Sequence, residues 1–288
     1  MIAKRWSKEG ILEKLWSKID KKNPLFFASC GTGLVAKLLE KAGADSITTF
    51  GGGRLRSNGW GSMSMLWPVQ DINGQVLEYS GHDIITAIKG DAFITACINA
   101  NDPFRDMRVF LDQLKAIGVL SVANSGPSIS DYDKDSHIFE VLTQSGITFE
   151  TEIEMLKLAK EMGLITIAMP FNLEDSIKMV KEAMPDIFCF HAGTTKGGLI
   201  GFDTPYSLED TAKRTEEAYN AVRKIKNDLI LLTHGASLVT PEDGQYILDN
   251  TSGHGLWTGS ATERIPIEKA VLEVAGKFAN LEINKEEN

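Results

Sequence analysis

A closed (β/α)8 barrel preceded by an extra amphipathic helix is the fold this sequence predicts, and three observations carry the prediction. Eight short apolar runs recur along the chain, helix-capable segments separate them, and no linker of biased composition divides the 288 residues. Parallel strands covered on both faces lose polar alternation, and each needs a crossover, usually helical, to reach its neighbour. Length alone admits two domains as readily as one barrel of about 250 residues. The unbroken alternation favours a single domain, with residues 1–22 as an N-terminal helix and 23–280 as the barrel.

The elements follow in order. Leu12, Leu15, Trp16 and Ile19 stand at i, i+3, i+4 and i+7, the stripe of a helix that packs against something. The strand runs are LFFAS (25–29), SITTF (46–50), FITACI (93–98), VLSVA (119–123), LITIAM (164–169), IFCFH (187–191), LILLTH (229–234) and LWTGS (256–260). Helical spacing marks Leu34 to Lys41, Phe104 to Ile117, Ile153 to Met162, Leu173 to Ala183, Leu208 to Ile225, Glu242 to Leu248 and Ile267 to Phe278. Cap chemistry opens several of them: Asp102-Pro103, Ser207 with Asp210 three residues on, and Thr240-Pro241-Glu242-Asp243. Two connections exceed the usual length of about 2 to 6 residues, 51–72 and 124–150, and such excess marks lids and binding loops.

Composition excludes several classes. Thirty Lys plus Arg against 39 Asp plus Glu give a formal charge of −9, which argues against a nucleic-acid surface and requires local basic pockets for any anionic ligand. Cys30, Cys97 and Cys189 are scattered singly, without the spacing of a disulfide framework or zinc knuckle. No apolar run approaches the roughly 18 residues of a membrane span, and the N-terminus lacks a signal-peptide core. A cytoplasmic protein without a membrane role is expected.

In a barrel, chemistry gathers where strands end. Arg54 and Arg56 follow the second strand, Asn124 and Ser125 the fourth, and Asn172 the fifth. His191 ends the sixth with Thr194, Thr195, Lys196, Gly197 and Gly198 beyond it, His234 ends the seventh, and Ser260, Glu263 and Arg264 follow the eighth. Cations and backbone donors at one rim suit a carboxylate or phosphate, so a small anionic ligand is the expected partner. His191 and His234 could serve as acid and base, or be two ligands of a metal, and a merely packed histidine stays open at either position. His254 lies about six extended residues from the upper rim, near the opposite face, which weakens a zinc triad. Mg2+ is permitted by the sparse rim carboxylates but its ligands are unknown, and no organic cofactor is expected. Gly31-Thr32-Gly33 fits a dinucleotide fingerprint, with Arg54 for a 2′-phosphate, but equally a tight turn that needs glycine for steric reasons. Cys30 beside a helix N-terminus lacks a base partner, and Ser125 lacks a nucleophile elbow. Trp60, Met63, Met65 and Trp67 could cover a ligand or form a subunit contact.

Taken together, GTGLVAKLLEKAGAD, GGGRLRSNGWGSMSMLWP, NDPFRDMRVFLDQLKAIG, ETEIEMLKLAKEMGL, HAGTTKGGLIG, LLTHGASLVTPEDGQYIL and GSATERIP resemble one family. It is the phosphoenolpyruvate hydrolase-like family, also labelled TIM-barrel signal transduction proteins, related to phosphoenolpyruvate mutase and isocitrate lyase barrels. The resemblance implies a frequently oligomeric (β/α)8 barrel acting on phosphoenolpyruvate or a similar enol or keto acid. It maps family positions onto Gly31, Gly33, Arg54, Arg56, Asp102, Arg105, His191, Gly193, Thr195, Gly197, Gly198, His234 and Gly235. Ala236 stands where the family usually has a second glycine, and neither the acidic magnesium pattern nor the catalytic cysteine loop of the mutases is recognisable. The expected activity is hydrolysis or lyase-type cleavage of a small phosphorylated or keto-acid anion; the alternative is a noncatalytic ligand-sensing barrel.

Overall fold

The computed structural model describes residues 6–67 and 70–283. Eight parallel strands close a barrel in chain order, each hydrogen-bonded to its sequence neighbours and the eighth to the first. They are β1 Leu25–Ser29, β2 Ser46–Thr49, β3 Phe93–Cys97, β4 Ser121–Ala123, β5 Ile165–Ala168, β6 Ile187–His191, β7 Ile230–His234 and β8 Gly255–Thr258. The predicted barrel is observed. All eight apolar runs contain a strand; β1 and β6 match theirs end to end, and the others differ by one or two residues at one or both ends.

Helix α1 (Lys8–Asp20) is capped by Ser7 and buries Ile11 and Leu15. It lies across the amino-terminal end of the barrel, because its polar partners all precede strands: Lys8 reaches Asp186 at 2.7 Å and Lys18 reaches Asp45 at 2.6 Å. Trp16 meets His254 edge-on at 5.7 Å, so His254 sits at the end opposite the carboxyl-terminal mouth. Burial lowers the His254 imidazole to about 4.

The outer layer runs α2 (Gly33–Lys41), α3 (Gly51–Ser57), α4 (Ile72–Tyr79), α5 (Ile85–Ala87), α6 (Met107–Ala116), α7 (His137–Gln144), α8 (Phe149–Glu161), α9 (Leu173–Ala183), α10 (Leu208–Arg223), α11 (Pro241–Asn250) and α12 (Arg264–Ala279). The capping boxes expected at Ser207 and Thr240 form. Asp102 does not cap α6; its carboxylate takes hydrogen bonds from Asn73, Phe104 N–H and Arg105, and Asp106 caps the helix instead.

The largest departure from the sequence reading is the 51–72 connection, which is structured. Gly51–Ser57 is helical despite three consecutive glycines, a 3-10 turn follows at Ser62–Leu66, and α4 begins at Ile72. Glycine is a poor helix former, but here lack of a side chain is what packing demands. A Cβ on Gly52 would stand 2.5 Å from the Phe50 ring, and one on Gly53 3.1 Å from the Cys30 carbonyl. Residues 68 and 69 of that connection, and the chain ends at 1–5 and 284–288, lie outside the described residues. Among the described residues, no helix is long and apolar enough to cross a membrane.

Candidate functional site at the barrel mouth

Strand parity builds the site. Successive side chains alternate between barrel interior and helix layer. On β6, Ile187 and Cys189 belong to the interior cluster, whereas Phe188 and Phe190 pack outward. On β7, Ile230 and Leu232 are interior and Leu231 is exterior. His191 and His234 continue the interior phase at the carboxyl-terminal ends, and the register pairs them directly. Their rings meet edge to face with centroids 4.6 Å apart. Other interior or strand-end positions complete the floor: Ser29, Phe50, Cys97, Met169 and Trp257 line the same cleft.

Each imidazole has one nitrogen committed. His234 Nδ1 lies 2.7 Å from the Trp257 carbonyl, which can only accept, so a neutral His234 carries its proton on Nδ1 and leaves Nε2 as a lone pair. His191 Nδ1 accepts the Gly193 N–H at 3.3 Å, which puts the His191 proton on Nε2. Both rings are neutral at pH 7. Burial, reinforced by His234, holds His191 well below its usual value, and burial together with the charge of Arg56 lowers His234 to about 4. Phe171 stacks on His191 at 3.9 Å and fixes its plane. The mouth therefore presents one N–H donor and one nitrogen base at the same level.

Arg56 supplies the cation beside them, but it is paired. Its Nε and Nη2 donate to Glu263 Oε2 at 2.9 and 2.5 Å, with both side chains 3% exposed, and Nη1 donates to Ser62 Oγ at 3.1 Å. Glu263 Oε1 accepts the Gly31 N–H at 2.6 Å. The ion pair thus ties the ends of β1, β2 and β8 together and leaves the guanidinium edge facing the cleft. Ser260, Thr194 and Thr195 also line it. Two connections roof the cleft: Met63, Met65 and Leu66 come from the segment after α3, Phe202 from that before α10, and Gly61 packs against the Phe202 ring. Met63 and Met65 therefore cover the cleft, while Trp60 and Trp67 face outward, 64% and 73% exposed.

Of the residues singled out from the sequence, the structure brings His191, His234, Arg56, Ser125, Thr194, Thr195 and Ser260 to one cleft, with Met63 and Met65 over it. It does not bring the others there. Arg54 turns away to Asp83 and the Gly31 carbonyl, both at 3.0 Å. Lys196 is exposed beyond the rim, joined by a backbone bridge to Phe202. Gly197 and Gly198 lie outside the cleft under Arg264, whose guanidinium donates to the Gly197 carbonyl at 2.7 Å. Asn124 is wholly buried and spans the strand ends, donating to Glu152 at 2.6 Å and accepting the Met169 N–H at 2.7 Å. Gly31 and Gly33 are steric: a Cβ would come within 2.3 Å of the Gly53 carbonyl and 2.5 Å of the Asp83 carbonyl. With the Gly31 N–H held by Glu263, that turn has no cradle for a pyrophosphate. Cys30 is buried and its thiol is pushed upward by burial, which removes it as a nucleophile.

Asp131 and Arg214 were missed. Asp131, on the 3-10 turn Ile129–Asp131, lines the cleft and is raised by burial to about 7. Glu152, fully buried beneath that turn, is raised by burial to about 8 although Asn124, Ser128 and the Ile129 N–H all donate to it. Arg214, stacked on Tyr206 at 3.9 Å and bonded to the Ala192 carbonyl, opens a side cleft next to His191. Parity of the strands could have found Cys97 and Met169; nothing in the local sequence distinguishes Asp131 from its neighbours Asp133 and Asp135.

The donors at the mouth build no dedicated magnesium site. Such a site joins one or two carboxylates to water and ligand oxygens, and here Glu263 is consumed by Arg56 and Gly31, which leaves Asp131 as the carboxylate lining the cleft. Among the described residues no three His, Cys, Asp or Glu side chains converge on one point.

The profile of the phosphoenolpyruvate hydrolase-like family matches residues 10–281. The tomato (Solanum lycopersicum) ToMV susceptible protein tm-1(GCR26) and ToMV resistance protein Tm-1(GCR237) are each 34% identical over 272 residues, 94% of this chain and 35% of those proteins. The chain spans about a third of their length. Among solved structures, phosphoenolpyruvate phosphomutase from Streptomyces platensis subsp. rosaceus superposes with a TM-score of 0.61 at 12% identity, covering 93% of this chain and 86% of that one. A phosphonopyruvate hydrolase in complex with oxalate and Mg++ gives 0.61 at 16% identity, covering 95% and 87%. At these identities the likeness shows the fold alone. The profile match, nearly end to end, shows more: the chain belongs to the phosphoenolpyruvate hydrolase-like family.

Proposed function

We propose that the barrel mouth binds a small keto-acid or phosphorylated anion and cleaves it by hydrolysis or a lyase-type step. The observation that carries this reading is the His191–His234 pair, adjacent in register, neutral, and fixed in opposite tautomers. His234 Nε2 accepts a proton from an attacking water or a substrate hydroxyl, while His191 Nε2–H donates to the oxygen on which charge gathers. Thr195, Ser260 and the cleft-lining guanidinium of Arg56 hold the anion; Arg54 and Lys196 act elsewhere. The family and the fold shared with a phosphonopyruvate hydrolase support this substrate class. A noncatalytic ligand sensor is the second reading, favoured by the tomato relatives, whose names ascribe no reaction to them.

A thermal-shift screen of phosphoenolpyruvate, phosphonopyruvate and other keto acids, with and without Mg2+, followed by product assay, tests both. Ligand at about 100 times its Kd adds about 2.7 kcal/mol, and turnover of the stabilising compound that falls in His191→Ala and His234→Ala supports catalysis. Stabilisation without turnover supports the sensor, and no stabilisation removes both.

The expected homo-oligomer has a candidate surface. On α12, Ile267, Val271, Val274 and Phe278 form one stripe and are 45%, 58%, 52% and 71% exposed. Light scattering of Val271→Glu against wild type tests whether that stripe joins copies of the chain, which a smaller particle in the variant would support.

A further inference from the structure

The connection after β4 presents one carboxyl at the mouth from a hydrogen-bonded turn. Ser128 Oγ and the Ile129 N–H donate to Glu152 at 2.7 and 2.8 Å. Two residues on, Ser130 Oγ donates to Asp175 at 2.7 Å and accepts the Phe171 N–H at 3.1 Å. Glu152 is 0% and Asp175 2% exposed, so the turn is bolted to two buried carboxyl groups. Directly after these anchors, the Asp131 side chain has no hydrogen-bond or ion-pair partner among the described residues, and it borders both the mouth and the side cleft under Arg214.

The neighbouring charges are all committed to other groups. Arg56 is held by Glu263, Lys134 by Asp175 and Glu174, and Arg214 by the Ala192 carbonyl and the Tyr206 ring. The remaining titratable groups that line the two clefts with it are His191, His234, Cys97, Tyr132, Asp133 and Tyr206. Asp131 is half-buried and lines both clefts, so its carboxyl is open to a ligand rather than spent on an internal contact.

We propose that Asp131 is the catalytic acid of this mouth, donating its proton to the fragment that leaves while His234 takes the proton of the attacking water. The inference rests on the hydrolytic reading given above. Written for a phosphonopyruvate-type substrate, the water oxygen bonds to phosphorus and its proton passes to His234 Nε2. The carbon–phosphorus bond breaks toward carbon, and the resulting enolate carbon takes the Asp131 proton. Transfer of the proton on His234 back to the Asp131 carboxylate through solvent restores both groups. The titration of Asp131 near 7 suits that role, since a general acid works best when its pKa lies near the working pH, and neither imidazole titrates there.

Asp131→Asn is nearly isosteric and retains the turn, and oxalate serves as the binding probe with phosphonopyruvate as substrate. In wild type, oxalate should bind about tenfold more tightly at pH 6 than at pH 8.5, because protonation removes a negative charge from the mouth; in Asp131→Asn the dependence should vanish. Phosphonopyruvate turnover should fall about 100-fold or more in the variant, with oxalate affinity at pH 6 within about threefold of wild type. Infrared difference spectra of unliganded protein give a second readout, a carboxyl band titrating near 7 that the variant lacks. Turnover unaffected by Asp131→Asn, or an Asp131 band titrating below 5, overturns the assignment while leaving the hydrolytic reading intact. A wild type that binds oxalate with this pH response yet turns over no keto acid overturns the hydrolytic reading and the catalytic role with it. No oxalate binding at all overturns the anion reading itself.

Discussion

Replacing His234 with Asn isolates the cost of keeping an uncharged imidazole in the mouth. The amide N–H can stand in for Nδ1–H and keep the bond to the Trp257 carbonyl, while the titration disappears. His234 is lowered by burial from its usual 6.5 to about 4. As pH falls below 6.5 the unfolded chain takes a proton that the folded ring refuses until about 4, so stability drops across that window. At 1.36 kcal/mol per pH unit the full gap corresponds to about 3 kcal/mol. The total pH profile hides this. Asp131 and Glu152, raised by burial to about 7 and about 8, take up protons on folding over the same range and stabilise as pH falls, while His254 acts in the same direction as His234. The difference between wild type and His234→Asn removes those shared contributions. Urea unfolding followed by tryptophan fluorescence at pH 7.5, 6.5, 5.5 and 4.5 should show the variant gaining about 3 kcal/mol on wild type between the extremes. A difference constant to within about 0.5 kcal/mol across the series would refute the buried, neutral His234 on which the site depends.

Three other outcomes follow from the packing. Glu263→Gln leaves the Arg56 guanidinium buried without its counter-charge, which should cost about 3–5 kcal/mol and lower Tm by about 10 °C in calorimetry; a drop under about 2 °C would mean the pair is solvated. Gly31→Ala drives a methyl into the Gly53 carbonyl and should lose about 1–3 kcal/mol in urea unfolding, whereas an unaltered midpoint would contradict the steric reading of that turn. Arg54→Ala and Lys196→Ala should each leave oxalate affinity within about twofold by titration calorimetry, because neither side chain reaches the cleft; tenfold weakening in either would place the anion on their side of the rim.

The barrel was legible because its signal is repeated eight times and each strand run is apolar on both faces, so no single boundary error could hide it. Legibility of the site was uneven for a related reason. His191 and His234 are strand residues, and alternation from Ile187 and Ile230 already dictates that both point inward. Arg54 and Arg56 sit instead on a helix that the triple glycine concealed; two residues apart on a helix they diverge, and only Arg56 faces the mouth. Lys196 and the paired glycines follow β6, but the loop folds outward toward α12, where Arg264 and Glu268 hold it. Asp131 is placed by contacts of its neighbours Ile129 and Ser130 with Glu152 and Asp175, 23 and 45 residues away in sequence, and no local pattern encodes such anchoring. The glycine usual in the family where Ala236 stands also acquires a reason: the φ of 49° there lies in the left-handed region, which glycine enters without strain.

Catalysis at the mouth requires both imidazoles to be neutral and locked in opposite tautomers. Long-range proton–nitrogen correlation spectra of uniformly 15N-labelled protein at pH 7, assigned with His191→Gln and His234→Gln, measure that state directly. The expected result is a protonated Nδ1 with a bare Nε2 on His234 and the reverse on His191, unchanged down to about pH 5. The same tautomer on both rings, averaged signals, or an imidazolium on either at pH 7 would contradict it.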